Sequence, residues 1–278
     1  MMTGSQGPEV GRPRVDVPIL MYHEIATRQD TSSRLAVSPA SFAAQLAHLH
    51  EAGFTTLTVS GLASALAEDP ARLPERPVLI TFDDGFADFH REALPLLDKY
   101  GFTATVFVTT GWIADASLRA AGRSPGPMLS WSQIREAASA GIEIGAHSHQ
   151  HPQLDQVHSD RLRDELMTSK ALLEDGLGVA VPGLAYPFGY SNARVRRVAQ
   201  EAGYTHACAV GNVGLGSGWD PFALPRLTIR HSTRLGTFAH IVRRQNESLI
   251  FLKDRSLTKG WAMVRRTRAG LTGASRGA

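Results

Sequence analysis

Eight short runs rich in β-forming residues alternate with helical patterns, and this alternation restricts the fold more than any other feature of the sequence. The runs lie at 17–23, 55–59, 78–82, 103–109, 142–147, 184–188, 206–210 and 224–229. Between them, Ser38-Pro39 predicts a helix start, and Ser130 with Gln133 predicts a capping box. Strands separated by helices indicate an α/β protein with parallel strands, as a barrel or an open sheet. In both architectures the functional residues lie at the carboxyl ends of the strands.

The β/α units are not separated by a long Gly/Ser linker, an internal repeat or a low-complexity block. This continuity favours one domain for the 278 residues, and a hydrophobic content of 43% is sufficient for a large buried core. We therefore predict a flexible N-terminal segment at 1–15, one folded domain at 16–260 and a basic, disordered tail at 261–278.

The formal net charge of +3 reflects this tail, which holds four arginines and no acidic residue, while the remaining chain is close to neutral. Because the tail lacks interleaved aromatic residues for base stacking, we expect no nucleic-acid partner. A weak contact with a membrane surface, through Trp261, Met263 and the arginines, is the alternative. No feature of the sequence indicates the oligomeric state.

Neither a transmembrane helix nor a signal peptide is expected, because the apolar runs are far shorter than about 18 to 20 residues and residues 1–15 lack an apolar stretch. We therefore expect a cytoplasmic protein, or one peripheral to the cytoplasmic membrane. Cys208 is the only cysteine, which excludes an internal disulfide and a thiolate metal cluster.

Two adjacent carboxylates, Asp83 and Asp84, follow the apolar run at 78–82 and precede Gly85, which lets the backbone turn sharply. An Asp-Asp-Gly turn taken alone is most often a polar loop. Its place at the end of a strand that we expect to be buried favours a functional site instead.

Three histidines, His147, His149 and His151, lie at and after the end of the run at 142–147. Imidazole is the commonest neutral ligand of divalent metals, and His147 and His151 can reach one ion together if the loop curls. His149 would then point elsewhere. With one aspartate from the pair above, they make a set of two histidines and one carboxylate that leaves positions for water and substrate.

This ligand set fits a zinc hydrolase and also a non-haem iron(II) oxygenase, so the ligands alone leave the reaction open. The spare carboxylate favours hydrolysis. One aspartate can bind the metal while the other accepts a proton from the attacking water, a division of roles that an oxygenase does not need.

The run Thr-Phe-Asp-Asp-Gly at 81–85, followed by His-Ser-x-x-His at 147–151, resembles the first two signature motifs of the polysaccharide deacetylase family, the NodB-homology carbohydrate esterases. The resemblance extends over residues 17–245. It implies a single distorted (β/α)7 barrel, which agrees with the alternation of strands and helices.

The same resemblance implies a role for each residue of the two motifs. Asp83 would be the general base, and Asp84, His147 and His151 the metal ligands. Ser148 would support the histidine loop by hydrogen bonding. The implied cofactor is a divalent metal, with Zn2+ favoured and Co2+ or Ni2+ as alternatives.

Residues 184–190, Leu-Ala-Tyr-Pro-Phe-Gly-Tyr, resemble the third motif of the family, which lines the substrate groove. The resemblance implies that Tyr186, Pro187 and Tyr190 line this groove. It also implies that the backbone N–H of Phe188 helps the metal to hold a tetrahedral oxyanion. A turn begun by proline, with simple aromatic packing, is the alternative.

The chain departs from the family pattern at the arginine that usually precedes this proline and orients the catalytic aspartate. Arg226, in the last β-rich run, is the natural substitute, because it can pair with Asp83 and keep that carboxylate ionised. An ordinary surface ion pair is the alternative.

The family's late Leu-x-His motif, which supplies the acid that protonates the leaving group, is not found after residue 226. His231 and His240 do not follow a comparable apolar strand. The run at 18–24 instead ends near His23 and resembles the opening of the poly-N-acetylglucosamine deacetylase-like subgroup, whose acid motif lies at the front. Because the first and last strands of a closed barrel are neighbours, we assign His23 as the general acid. A histidine simply packed at a strand end is the alternative.

Together these motifs imply a metal-dependent hydrolase that removes N-acetyl groups from amino sugars of a polysaccharide or glycoconjugate and releases acetate. The expected partner is therefore an N-acetylated glycan. The alternatives are a related hydrolase of a non-carbohydrate amide or an O-acetyl ester, a non-catalytic glycan-binding protein and an iron(II) oxygenase.

Overall fold

The computed structural model describes residues 16–116, 124–216 and 219–256. The predictions for 1–15 and for the basic tail at 261–278 lie outside these residues. The strands are β1 (Ile19–Tyr22), β2 (Thr55–Leu57), β3 (Pro77–Phe82), β4 (Thr105–Val108), β5 (Glu143–Ala146), β6 (Gly183–Ala185), β7 (His206–Val210) and β8 (Leu224–Thr228). The helices are α1 (Pro39–Glu51), α2 (Val59–Glu68), α3 (Leu94–Lys99), α4 (Trp131–Ser139), α5 (Ser159–Leu177), α6 (Ala193–Glu201), α7 (Leu235–Val242) and α8 (Glu247–Ile250).

Seven parallel strands close into a barrel in the order β1, β3, β4, β5, β6, β7, β8. The closing strand is β1, which pairs with β3 along one edge and with β8 along the other. All eight β-rich runs form strands. The closure of the sheet confirms the predicted (β/α)7 barrel and excludes the alternative of an open, doubly wound sheet.

The strand β2 lies beside the barrel rather than in it, and it makes the barrel irregular. It pairs with the first half of β3, at residues 77–79, whereas β4 pairs with the second half, at 81–82. Since β1 pairs with β3 across both halves, β2 and β4 share the opposite edge. This arrangement explains why eight strands produce a seven-stranded barrel.

The predicted helix signals are present at α1 and α4. The hydroxyl of Ser38 accepts a hydrogen bond from the Ser41 backbone N–H, and Pro39 occupies the first turn of α1. Ser130 and Gln133 form a reciprocal capping box at the start of α4. In the described ranges, no helix has the length and apolar character needed to cross a bilayer.

Buried apolar side chains form two clusters that follow the alternation of each strand. The larger cluster includes Leu20, Ile80 and Leu227. The smaller one includes the alternate strand residues Ile19 and Leu79 together with side chains of α2. Cys208 belongs to this smaller cluster, and burial raises the pKa of its thiol to about 12, so it is a packing residue.

A buried polar cluster lies at the amino end of the strands. The Glu143 carboxylate accepts hydrogen bonds from the backbone N–H groups of Val59 and Ser60 and from the Thr105 hydroxyl. These contacts tie the first turn of α2 to β4 and β5. The Ser60 hydroxyl lies 3.4 Å from Nε2 of His206, the first residue of β7. Burial lowers the pKa of His206, and the negative charge of Glu143 opposes this effect only in part.

We expect the free energy of unfolding to fall as the pH drops below about 6.5, the ordinary histidine pKa. The unfolded chain then binds a proton that the buried His206 resists, so the loss reaches about 1.4 kcal/mol per pH unit for this group. Urea unfolding of the wild type and of His206→Gln between about pH 7.5 and 5.5 measures the effect. A wild type and a variant with the same pH dependence would contradict the expectation.

Candidate metal and catalytic site

The carboxyl end of the barrel brings together most of the residues singled out in the sequence. Asp83 and Asp84 follow β3, and His147 follows β5. His23 follows β1, whose Tyr22 carbonyl accepts a hydrogen bond of 3.0 Å from the Asp83 backbone N–H. Barrel closure therefore places residues from distant parts of the chain in one pocket.

Asp84, His147 and His151 form a candidate metal site. Nε2 of His151 lies 3.2 Å from Oδ1 of Asp84, and Nε2 of His147 lies 3.4 Å from the same oxygen. One ligand atom from each residue lies within 4.8 Å of the other two. Nδ1 of His147 donates to the Ala185 carbonyl at 2.8 Å, which leaves the lone pair of its Nε2 for a metal.

The protonation states of this set suit a divalent cation. Burial is the main cause that lowers the pKa of His147 to about 4, so its imidazole is neutral at neutral pH. Burial raises the pKa of Asp84, but the approach of His151 and the charges of His23 and His147 outweigh it, and the pKa lies below its usual range. Two imidazoles and one carboxylate are a donor set that Zn2+, Co2+ and Ni2+ accept.

The backbone at this site is held in conformations that residues other than glycine rarely adopt. In the described ranges, seven such residues have a positive φ, and four of them lie here: Asp84 at 74°, Ser148 at 62°, His151 at 56° and Phe188 at 59°. Strained residues of this kind concentrate at functional sites, where surrounding contacts fix them. The hydroxyl of Ser148 accepts a hydrogen bond of 3.0 Å from the His151 backbone N–H, which links the two ends of this turn.

Arg226 pairs with Asp83 through two short hydrogen bonds, of 2.6 Å from Nη1 to Oδ1 and 2.7 Å from Nη2 to Oδ2. Arg226 is 0% exposed and Asp83 is 3% exposed, which excludes the alternative of a surface ion pair. Burial raises the pKa of Asp83, but the charge and hydrogen bonds of Arg226, together with the charges of His147 and His23, outweigh burial, so the pKa lies below its ordinary value and the carboxyl is ionised. Oδ2 of Asp83 lies 4.0 Å from Nε2 of His147, beside the candidate metal site.

His23 lies at the same end of the barrel, because it follows Tyr22, whose carbonyl accepts the hydrogen bond from the Asp83 backbone N–H. Its Nδ1 is buried and has no hydrogen-bond partner in the described part of the chain. The two late histidines are elsewhere. His231 contacts the Arg34 carbonyl and His240 contacts Gln245, in both cases at exposed positions.

The predicted groove residues divide into two groups. Tyr186 is fully buried and its hydroxyl donates to the Phe222 carbonyl at 3.0 Å, and Pro187 is buried as well. The prediction that these two side chains line the groove is therefore wrong, because they pack beneath the loop. Phe188 is 50% exposed, and Tyr190 stacks against it with ring centroids 6.1 Å apart.

A row of aromatic rings adjoins the candidate metal site. The Trp112 ring stacks on His151 with centroids 5.0 Å apart, and His151 meets the edge of Phe188 at 4.7 Å. Trp112 was missed in the sequence, although it lies shortly after the end of β4. A search of every strand end for aromatic as well as ionisable residues would have found it. Glu165, on α5, was also missed, and the sequence holds no signal for it.

Comparison with protein families matches residues 71–207 to the family described as Polysaccharide deacetylase. The matched segment contains Asp83, Asp84, His147, His151 and the loop at 184–190. It excludes His23, which follows β1, and Arg226, which lies on β8.

Two curated relatives are similar over most of the chain. YxkH of Bacillus subtilis (strain 168), named as a candidate polysaccharide deacetylase, is 33% identical over 190 residues, which is 68% of this chain and 62% of the relative. The chain thus spans less than two thirds of that relative's length. The poly-beta-1,6-N-acetyl-D-glucosamine N-deacetylase of Staphylococcus aureus (strain MRSA252) is 24% identical over 220 residues, covering 75% of this chain and 71% of the relative.

Among solved structures, the Streptococcus pyogenes deacetylase PplD in complex with acetate superimposes with a TM-score of 0.74 and 27% sequence identity. The similarity covers 82% of this chain and 99% of that protein.

Proposed function

The chain belongs to the polysaccharide deacetylase family, and from this premise we propose that it is a metal-dependent hydrolase of N-acetylated amino sugars. The substrate is a polysaccharide or glycoconjugate, and the products are acetate and a free amino sugar. One observation carries the proposal: Asp84, His147 and His151 converge beside Asp83, a second carboxylate that a buried arginine holds. The poly-N-acetylglucosamine specificity in the name of one relative supports the substrate class.

The cofactor is a divalent ion held by Asp84, His147 and His151, with Zn2+ favoured and Co2+ or Ni2+ as alternatives. When bound, such an ion would polarise the acetyl carbonyl and lower the pKa of a water molecule. The acetate in the similar streptococcal structure supports an acetyl group as the reacting part of the substrate.

Asp83 accepts a proton from the water that attacks the acetyl carbon. Its pairing with Arg226 keeps the carboxylate ionised and fixes its plane, since both oxygens receive a hydrogen bond from the same guanidinium. The proximity of its Oδ2 to His147 supports this role, because a base must be within reach of the water that it activates.

Phe188 stabilises the negative charge that develops on the acetyl oxygen, through its backbone N–H. The positive φ of Phe188 sets the direction of its peptide group, and its ring lies 4.7 Å from that of the candidate ligand His151. A backbone donor aimed at the developing charge is the arrangement that stabilises an oxyanion.

His23 donates a proton to the amine nitrogen as the carbon–nitrogen bond breaks. The electron pair of that bond stays on the nitrogen, and the carbonyl carbon leaves as acetate with the oxygen of the water. The position of His23 next to Tyr22, which contacts the Asp83 backbone, and its buried Nδ1 without a partner in the described residues support this role. Exchange with solvent then returns Asp83 and His23 to their starting protonation states.

The aromatic row extends the site toward the substrate. Phe188 exposes half of its side chain beside the metal ligands, and Trp112 and Tyr190 lie next to it in the row. Flat apolar side chains with polar neighbours suit the apolar face of a sugar ring, so we propose that the amino sugar packs here.

Acetate release from N-acetylglucosamine oligomers of increasing length tests the function. We expect release with Zn2+-loaded protein, loss of release to background after removal of the metal with a chelator, and recovery when Zn2+ is added back. Release from the chelated protein, with metal absence verified on the same sample, would contradict metal dependence.

A matched panel separates the alternatives. It contains an O-acetyl ester of a sugar and an N-acetylated amine without a sugar. Activity on either of these alone would identify the related hydrolase. Binding of oligomers without acetate release, in protein that retains its metal, would identify a glycan-binding protein.

A further inference from the structure

A buried carboxylate on α5 contacts the loop that carries the two histidine ligands. Glu165 is 3% exposed, and its Oε2 accepts hydrogen bonds of 3.0 Å from the His149 backbone N–H and 2.7 Å from the Gln150 N–H. Both donors lie between His147 and His151. The centre of the ligand loop, residues 147–151, is therefore tied to a helix that contributes no ligand.

The loop needs such support because its backbone is strained. Ser148 and His151 both have a positive φ, which persists only where contacts fix the surrounding chain. Without Glu165, two adjacent N–H groups would lose their acceptor. The remaining contacts with the neighbouring loop include two backbone hydrogen bonds, from the Thr110 N–H to the Ser148 carbonyl at 3.3 Å and from the Gly111 N–H to the His149 carbonyl at 2.8 Å. The hydroxyl of Thr110 also lies 2.9 Å from Nδ1 of His149.

The burial of Glu165 is also unusual for a carboxylate. Removing a charged group from water lowers the stability of the fold unless hydrogen-bond donors or a cation replace the lost water. The nearest cationic partner, Arg161, has its Nε 3.8 Å from Oε1 and a side chain that is 55% exposed. The two backbone N–H groups are closer to the carboxylate, at 3.0 and 2.7 Å. Hydrogen bonds to an ionised acceptor are stronger than neutral ones, which makes a carboxylate a firmer anchor than an amide.

We propose that Glu165 is a positioning residue for the metal site. Its two hydrogen bonds hold the ligand loop in the conformation that presents Nε2 of His147 and Nε2 of His151 to the same ion. The inference rests on the proposed metal binding, and it adds a determinant of metal affinity outside the ligand set.

The experiment compares Glu165→Ala and Glu165→Gln with a matched control, Glu174→Gln. Glu174 lies on the same helix, and its carboxylate accepts from the Val181 backbone N–H at 3.0 Å and pairs with Lys170 at 2.8 Å. The control thus removes a carboxylate that ties α5 to a different segment. The dissociation constant for Zn2+ is measured by competition with a chelator, and the visible spectrum of the Co2+-loaded protein reports ligand geometry.

We expect Glu165→Ala to raise the dissociation constant for Zn2+ about 10- to 100-fold and to alter the Co2+ spectrum. Glu165→Gln should have a smaller effect, because its amide oxygen can accept both N–H groups without the charge. Glu174→Gln should bind Zn2+ like the wild type. Loss of affinity in the control as large as in Glu165→Ala would overturn the proposal.

Amide hydrogen exchange in the metal-free proteins provides a second readout. Faster exchange at His149 and Gln150 in folded Glu165→Ala supports the anchor, and wild-type protection at both amides together with wild-type Zn2+ affinity overturns it. If Glu165→Ala does not fold, the same criteria apply to Glu165→Leu, which fills more of the space of the side chain but offers no acceptor to either N–H group. A wild type that binds no metal would refute the proposed function, and the exchange comparison would still decide whether Glu165 holds the loop.

Discussion

Replacing Asp83 by asparagine should abolish most turnover and leave the metal in place. The amide has the shape of the carboxylate and keeps an oxygen for Arg226, but it cannot accept the proton of the attacking water. General base catalysis contributes about 10²- to 10⁴-fold, so kcat for acetate release should fall by this factor. The ligands Asp84, His147 and His151 are unchanged, so the metal content should equal that of the wild type.

Asp84→Asn is the matched comparison, since it makes the same chemical change one residue further along the chain. It should also lose turnover, but through loss of the metal, because Asp84 supplies the carboxylate oxygen that faces both histidines. Metal analysis and kcat on the same samples distinguish the two variants. If Asp83→Asn lost the metal and Asp84→Asn kept it, the assigned roles of the two aspartates would be reversed.

The strands and helices could be predicted because the signals that form them are local. Buried parallel strands such as β3 are nearly continuous apolar runs, and caps such as Ser38 act within one turn. The place of β2 could not be predicted in this way. Its short run has the same β-rich character as the barrel strands, and only the register of β3 with its two neighbours leaves β2 beside the barrel.

The residues of the candidate metal site could be found because each follows a strand, and the closure of a barrel brings strand ends together. Burial of side chains in loops depends on contacts that no sequence pattern records. Tyr186 follows β6 directly, but its ring turns inward to reach Phe222. Glu165 is an acidic residue on a helix rich in charge, where solvent exposure is the ordinary expectation, and only the approach of the histidine loop buries it.

Replacing Arg226 by methionine should cause the largest loss of stability, about 3 to 5 kcal/mol in the free energy of unfolding. The guanidinium is buried, donates two hydrogen bonds to Asp83 and lies over the Phe107 ring at 5.5 Å. Its removal leaves the buried carboxylate of Asp83 without a cation. Urea unfolding of the metal-free proteins at about pH 7 measures the loss, and a loss below about 1 kcal/mol would show that the pair is not important for the fold.

The double variant Asp83→Asn/Arg226→Met separates loss of packing from loss of charge compensation. It buries neither charge, so it should be more stable than Arg226→Met alone, while turnover stays lost because the base is absent.

The pH dependence of the free energy of unfolding gives a second, independent test. In the wild type the pKa of Asp83 is below its unfolded value of about 3.9, so its contribution to stability is lost as the pH falls through that range. Without Arg226, burial alone should raise this pKa, so the contribution of Asp83 should be lost as the pH rises. Relative to the double variant, Arg226→Met should therefore gain stability as the pH is lowered toward about 4, and an equal pH response in the two would contradict the role of Arg226 in keeping Asp83 ionised.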